Sequence, residues 1–358
     1  MLRIKLHPLF LLCLILPSLF GCTTSSHPPD NLSFDTGEWQ QAGLDRVAIN
    51  SFSSLRGSLY AATEHGLYIT SGDNDTTWNT LDLRQDTVRK VVFLPGKKLL
   101  AAVRISDCCF GIPSLFLSTN QGENWEPYMN DFGGPTGKYT WVASITTPSQ
   151  PSDTLFTQAS GGAIARSIDG GSHWKMVNYT WDAFSGDGNF IFVDPYSKKN
   201  IWAGGSNAVF RPELYHSKDG GTTWQRIPVS PAGESSVYDL LLKQGNSDHI
   251  LINIGYGLLK STDGGENWHT AWNIKNFGVN TLTHSARDPG IVYASGQNAD
   301  GTLFFAASRD FGDHWQTVTM ASRPNGIYVN DIVSVMQNGH EVLYLGTNNG
   351  VYSYTFER

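Results

Sequence analysis

Short apolar runs, divided by turns rich in Gly, Asn, Asp and Ser, fill most of this 358-residue chain. Runs of four to eight residues bounded by such turns predict strands rather than helices. The stretch from Val237 to Trp268 shows the order of elements best. Val237 to Leu242 reads as a first strand, His249 to Ile254 as a second and Gly257 to Ser261 as a third. A polar turn follows, and Trp268 opens a fourth strand. The same order recurs in Leu59-Tyr60-Ala61-Ala62, Gly66-Leu67-Tyr68-Ile69 and Trp78-Asn79-Thr80-Leu81.

The turn before the fourth strand is one phrase written six times: SGDNDTTW (Ser71–Trp78), STNQGENW (Ser118–Trp125), SIDGGSHW (Ser167–Trp174), SKDGGTTW (Ser217–Trp224), STDGGENW (Ser261–Trp268) and SRDFGDHW (Ser308–Trp315). Its tryptophans recur every 44–50 residues. That period means one four-stranded unit repeated around or along an axis. Side chains of Ser and of Asp73, Asp169, Asp219, Asp263 and Asp310 can accept hydrogen bonds from their own turn. The glycines supply positive φ. The Trp buries a flat surface and keeps one N–H to place. Asn120 replaces the Asp in the second phrase, and Phe311 replaces the first Gly in the sixth.

After the sixth phrase, Val329 to Met336, Glu341 to Gly346 and Gly350 to Phe356 supply three strands, and the sequence stops. At the other end, Ser33 to Trp39 is the phrase shortened by one residue, followed by Gln40-Gln41-Ala42 as a fourth strand. Joining these ends removes both open sheet edges. The expected fold is all-β: one seven-bladed β-propeller of four-stranded antiparallel blades over residues 33–358, its last blade closed by an N-terminal strand.

These phrases resemble the Asp-box, or BNR repeat, of sialidase-like β-propellers. The resemblance covers roughly Asp35 to the C-terminus. It implies a scaffold role for the boxes, which lie on the face opposite the usual active site in that superfamily. Sialidases use three arginines, a Tyr activated by a Glu, and an Asp acid. They also carry Arg-Ile-Pro ahead of the first box. Here Arg226-Ile227-Pro228 follows the fourth box and reads as part of a fourth strand. Arg104, Arg211 and Arg323, on the expected loop face, match no such frame. Xyloglucanases set two such propellers face to face, and this chain has length for one. A single propeller on a lipid tether also resembles the photosystem II assembly propellers and, more distantly, the sortilin propeller.

The first residues are a separate object. Arg3 and Lys5 precede an apolar run, Leu9 to Leu16, too short to span a bilayer as a helix. The run ends in Leu19-Phe20-Gly21-Cys22, which resembles the lipobox of bacterial lipoproteins. The resemblance implies a signal peptide over 1–21, a lipidated Cys22 and a tether over 22–32. With Thr23 next to the Cys, it implies a place in the cell envelope, at the outer membrane. Cys108 and Cys109 then remain in the mature chain. An exported pair of neighbours is either a strained vicinal disulfide or two reduced thiols.

A net charge of −7 and the lack of a Lys/Arg cluster exclude generic nucleic-acid binding. No metal, nucleotide or haem motif is present, so no cofactor is expected. Function is therefore sought on the loops opposite the boxes, where aromatic, amide and charged side chains suit a peptide or sugar. The candidates are Arg104, Tyr139, Trp141, Trp181, Asp182, Asp187, Arg211, Tyr238, Trp272, Asn330 and Asp331. Starts of first strands place Arg46, Arg89, Asn189, Asp239 and Asn280 near the same channel mouth. Asp182 and Asp187 would serve a glycosidase as a carboxylate pair, or the loop as turn formers. Three functions follow: a membrane-anchored binding or assembly scaffold for an envelope protein or glycan, a glycoside hydrolase, or a structural envelope component.

Overall fold

Seven separate sheets, each of four antiparallel strands, account for every strand among the described residues. The computed structural model describes residues 34, 36–70, 77–104, 114–128, 142–159, 163–178, 188–207, 209–230, 235–273, 277–298, 300–320 and 326–357. Blades 1 to 6 span 49–80, 87–127, 142–178, 188–226, 239–273 and 277–319. Blade 7 combines 329–356 with Gly37–Gln41. First strands of successive blades touch all the way round, and that of blade 7 meets that of blade 1. The ring is closed.

The core lies between blades. Ala62 and Leu67 of blade 1 pack on Val91 and Ala101 of blade 2. Leu241 and Leu258 of blade 5 pack on Val292 and Phe304 of blade 6. Each large apolar side chain so buried contributes about 1.5–3 kcal/mol.

The box turns hold these blades together as well as closing each hairpin. In blade 5, Ser261 Oγ donates to Asp263 Oδ1 (2.7 Å) and accepts from Gly265 N (2.9 Å). Asp263 Oδ1 also accepts from Asn267 N (2.9 Å). Asp169, Asp219 and Asp310 make the same bonds in blades 3, 4 and 6. Asn120 substitutes fully, accepting from Ser118 Oγ at 2.9 Å and Asn124 N at 3.0 Å. Phe311 takes the left-handed φ of 55° that the replaced Gly would have had.

The second Gly of the box has a further reason. A Cβ on Gly265 would sit 2.9 Å from Ile227, and one on Gly312 would sit 2.7 Å from Leu251, both on the preceding blade. Three box indoles also reach back one blade: Trp78 to Ala42 O (2.8 Å), Trp125 to Leu81 O (2.7 Å) and Trp268 to Pro228 O (3.0 Å). The box is thus a blade-to-blade staple. In blade 1 it begins one residue earlier than the sequence suggests. Thr70, opposite Leu59, occupies the place that Ser261 takes opposite Ile250. Asp73 lies outside the described residues. Arg226 is in a fourth strand, Gln225–Arg226, where it pairs with Glu213 at 2.6 Å.

Blade 7 closes between the two ends of the chain. Gly37–Gln41 runs antiparallel to Gly350–Phe356, with Trp39 opposite Tyr354. The strand begins at Gly37, ahead of the expected Gln40, because pairing to the C-terminal strand extends past Trp39. Tyr354 sits opposite Leu343, the register position of the box serine. Its hydroxyl donates to Phe34 O at 2.9 Å.

Candidate functional site

Each first strand is the edge of its sheet, so its outward backbone groups face the channel and need partners. Most first strands open with a bulge, between Ile49 and Ser51, Val88 and Lys90, Val142 and Ser144, Gly188 and Phe190, Val279 and Thr281, and Val329 and Asp331. The bulged residue is Asn in four blades, and each Asn reaches the next blade. Asn50 donates to Val88 O (2.7 Å), Asn189 to Val237 O (2.9 Å) and Asn330 to Ile49 O (2.8 Å); Asn280 donates to Val329 O. Blade 5 has Tyr238 at this point, and Asn253 of the adjacent strand donates to Val279 O instead (2.9 Å).

In blades 3, 5 and 7 the residue that follows caps a free N–H of the next blade as acceptor, whereas Ser51 of blade 1 donates to Arg89 O (2.7 Å). Asp331 accepts from Phe52 N at 2.7 Å, Asp239 from Leu282 N at 2.8 Å and Ser144 from Ile191 N at 3.3 Å. Thr281 Oγ lies 3.4 Å from both Asp239 and Asp331. A structural ring of Asn, Asp and Ser therefore lines the mouth.

Above this ring is a cavity of about 550 Å³. Its cations come from one blade, with Lys90 close enough to act on Asp239 and Asp331. Among the described residues blade 2 contributes Arg89, Lys90 and Arg104; Glu64, Asp239 and Asp331 come from blades 1, 5 and 7. Burial pushes the Asp239 carboxyl up to about 7, with Asp331 adding to the rise against the N–H groups of Leu282 and Leu240 and the charge of Lys90. Burial also raises Asp331. Arg89 is lowered by burial and then by Arg104, so two guanidiniums share one sector. An anionic group at blade 2 and an amide or cation at the opposite wall would each find complementary charge.

Of the residues chosen from sequence, Arg104, Tyr238, Asn330 and Asp331 line this cavity, together with Arg89, Asn189, Asp239 and Asn280. Arg46 and Arg211 do not line it; Arg211 N donates to Asn207 Oδ1 (3.0 Å) within its own loop. Trp272 is also elsewhere, stacked 5.2 Å from Trp315 and edge-on to Phe304, where it packs blade 5 on blade 6. Tyr139, Trp141, Trp181, Asp182, Asp187, Cys22, Cys108 and Cys109 lie outside the described residues. Sequence reasoning missed Lys90, Glu64 and Asn50. A signal was present for Asn50: Ile49-Asn50-Ser51, Val279-Asn280-Thr281 and Val329-Asn330-Asp331 repeat an apolar-Asn-polar start.

Ring, blades and channel define a seven-bladed β-propeller. Among solved structures it is similar to YCF48 from Cyanidioschyzon merolae, with TM-score 0.63 and 15% identity over 89% of this chain and 98% of that one. It is similar to YCF48 bound to D1 peptide, with TM-score 0.65 and 16% identity over 91% and 99%. The GH74 xyloglucanase from Xanthomonas campestris gives TM-score 0.66 and 18% identity, over 88% of this chain and 53% of the enzyme. Two curated relatives share sequence. A Paenibacillus xyloglucanase is 25% identical over 245 residues, 57% of this chain and 23% of the enzyme. The photosystem II assembly lipoprotein Ycf48 of Synechococcus is 27% identical over 140 residues, 37% of this chain and 40% of that protein. The matches thus span well under half of the curated relatives' length. No family model matches.

Proposed function

We propose that this ring is a non-catalytic binding scaffold, tethered to the bacterial envelope membrane through Cys22, that takes up a protein segment at the channel mouth. The gathering of Arg89, Lys90 and Arg104 on one blade of the cavity carries this reading. A carboxylate or other anionic group of the segment docks against Arg89, Lys90 and Arg104. Its amides and cations meet the Asn and Asp wall. The peptide-bound YCF48 ring, whose fold this chain shares, supports a protein ligand over a glycan.

A photo-crosslinking residue in place of Tyr238, which is exposed at the mouth, tests it. The expected outcome is a discrete protein adduct that Arg104→Ala abolishes while the melting temperature stays unchanged. The same probe at Ile168, exposed in a box turn, should give no such adduct. Equal capture at both positions would remove the mouth from consideration.

One observation favours a second reading, a glycoside hydrolase: Asp239 held up near 7 beside Asp331 is the charge pattern of an acid and a carboxylate partner. Both carboxylates already accept backbone N–H groups that the ring needs, from Leu240 and Leu282 and from Phe52 and Ile332. Among the described residues two arginines, not three, line the cavity. Turnover of xyloglucan oligosaccharides or an aryl sialoside, lost in Asp239→Asn, would establish the hydrolase.

A further inference from the structure

The face that carries the boxes has its own groove. Hairpins joining first and second strands open onto this face, as the box turns do. Between blades 1 and 2 they enclose a cavity of about 430 Å³. Leu55, Leu94 and Leu99 form its apolar floor, and Arg56, Lys97 and Lys98 stand exposed at its rim. Among the described residues no carboxylate lines it. Arg56 and Lys97 take left-handed φ of 52° and 64° at the hairpin tips, which fixes them at the face. The boxes of blades 3 to 6 carry carboxylates at Asp169, Asp219, Asp263 and Asp310, and the box of blade 2 carries Glu123. The four aspartates are occupied by N–H groups of their own turns.

The course of the chain adds a second observation. Fourth strands run from the box face to the mouth, so Gly37–Gln41 starts on the box face. The bond from Glu357 N to Thr36 O (2.9 Å) places the last strand's end there too. Blade 7 is next to blade 1. Phe34, packed on Tyr293 and under Arg309 at the seam of blades 6 and 7, therefore lies on the same face as the groove. Eleven residues separate Cys22 from Phe34. At roughly 3.5 Å each they reach about 40 Å when fully extended, and as a flexible coil about 18 Å.

We infer that the groove of blades 1 and 2 seats on anionic phospholipid headgroups, turning the channel mouth away from the membrane. This rests on the anchoring reading of Cys22. The rim cations meet the phosphate charge. Basic side chains near a bilayer are drawn to anionic lipid and released by salt. Blades 3 to 6 tilt away. A partner then approaches the mouth from the aqueous side without steric conflict with the lipid.

The test uses the full chain, purified with its native modification and placed in vesicles of phosphatidylglycerol and phosphatidylethanolamine. With Cys108→Ser and Cys109→Ser as background, a dye is attached at Thr119→Cys, Glu266→Cys or Phe210→Cys. All three positions are exposed. They lie at the blade 2 box, the blade 5 box and the mouth. Quenching by headgroup-labelled lipid should be several-fold greater at 119 than at 210, with 266 between. Arg56→Glu with Lys97→Glu, or vesicles of phosphatidylcholine alone, should remove that order. Equal quenching in an acylated chain, or stronger quenching at 210, overturns the orientation. A mass spectrum showing Cys22 unmodified, with no flotation of the chain with vesicles, overturns the anchoring itself and the orientation with it.

Discussion

Blades 2 to 6 and blade 7 solve one problem, the end of a third strand and the start of a fourth, with different chemistry. In the five, a continuous turn holds the pair. A buried serine such as Ser261 ties Asp263 and Gly265, and the Trp follows. In blade 7 the two strands come from opposite ends of the chain, so no turn exists to be tied. Tyr354 stands in the serine's register position and Trp39 in the place of the box Trp. The hydrogen-bonded loop is replaced by packed rings. Tyr354 lies 4.9 Å from Phe305, 5.1 Å from Phe356 and 5.2 Å from Trp39. Trp39 has even given up the indole bond, its buried N–H having no partner. Covalent continuity allows a polar solution; its loss demands an apolar one.

Removing the closing strand is the most severe way to break the comparison. Deletion of residues 34–42 exposes the edge of Gly350–Phe356 and takes Phe34 and Trp39 from the cluster. Cooperative thermal melting should be lost or lowered by tens of degrees, on the order of more than 5 kcal/mol when summed over the buried side chains. Unchanged melting by circular dichroism would show that blade 7 does not close the ring in solution.

Tyr354→Ala comes next. The ring is 1% exposed, and large-to-small changes at such sites cost about 3–5 kcal/mol. Tyr354→Phe isolates the hydroxyl bond to Phe34 O and should cost about 1 kcal/mol. Chemical denaturation of the two variants measures both. If they destabilise equally, the bond rather than the aromatic packing holds the closure.

The polar solution is weaker per blade. Ser261→Ala leaves Gly265 N buried without its acceptor and frees Asp263, at a cost of about 1–3 kcal/mol. Five such turns among the described residues share the load in the ring, so the variant should still fold. Its unfolding midpoint in urea should fall less than that of Tyr354→Ala, and the reverse order would invert the comparison.

The blades were legible in the sequence because Trp and Gly at a fixed spacing mark both register and turn. The closure was legible for the same reason, since Trp39 keeps the register even where its turn is cut. What was not legible depends on contacts between blades. Trp272 looks like a loop aromatic until Trp315 is found stacked on it. Arg89 and Arg104 are fifteen residues apart in sequence, and only the pairing of Thr87 with Arg104 brings them to one sector. Lys90 faces the channel because a bulge shifts the register between Val88 and Lys90, and a one-residue shift flips every side chain after it. Nothing in the local sequence announces that bulge.

Acid separates the two solutions with the smallest effect. The Asp219 carboxyl is held down at about 2 by the Thr223 hydroxyl and N–H and by Ser217, and Asp263 at about 2 by Asn267 and Ser261. In Asp169 and Asp310 burial pushes upward, but bonds from His173 and His314 outweigh it and leave both at about 2. A carboxyl with a lowered folded pKa adds stability above its unfolded value, near 4, and loses it as pH falls through about 2. Among the described residues of blade 7, no carboxylate accepts a bond at the serine–tyrosine position. Between pH 4 and pH 2, amide exchange at Gly171, Gly221 and Gly265, corrected for intrinsic rates, should therefore accelerate. Exchange at Trp39 and Tyr354, in the paired closing strands, should hold steady over the same range. Parallel loss at both places would mean that the box carboxylates stabilise the ring as a whole, and that the seventh blade leans on its six neighbours for more than their surface.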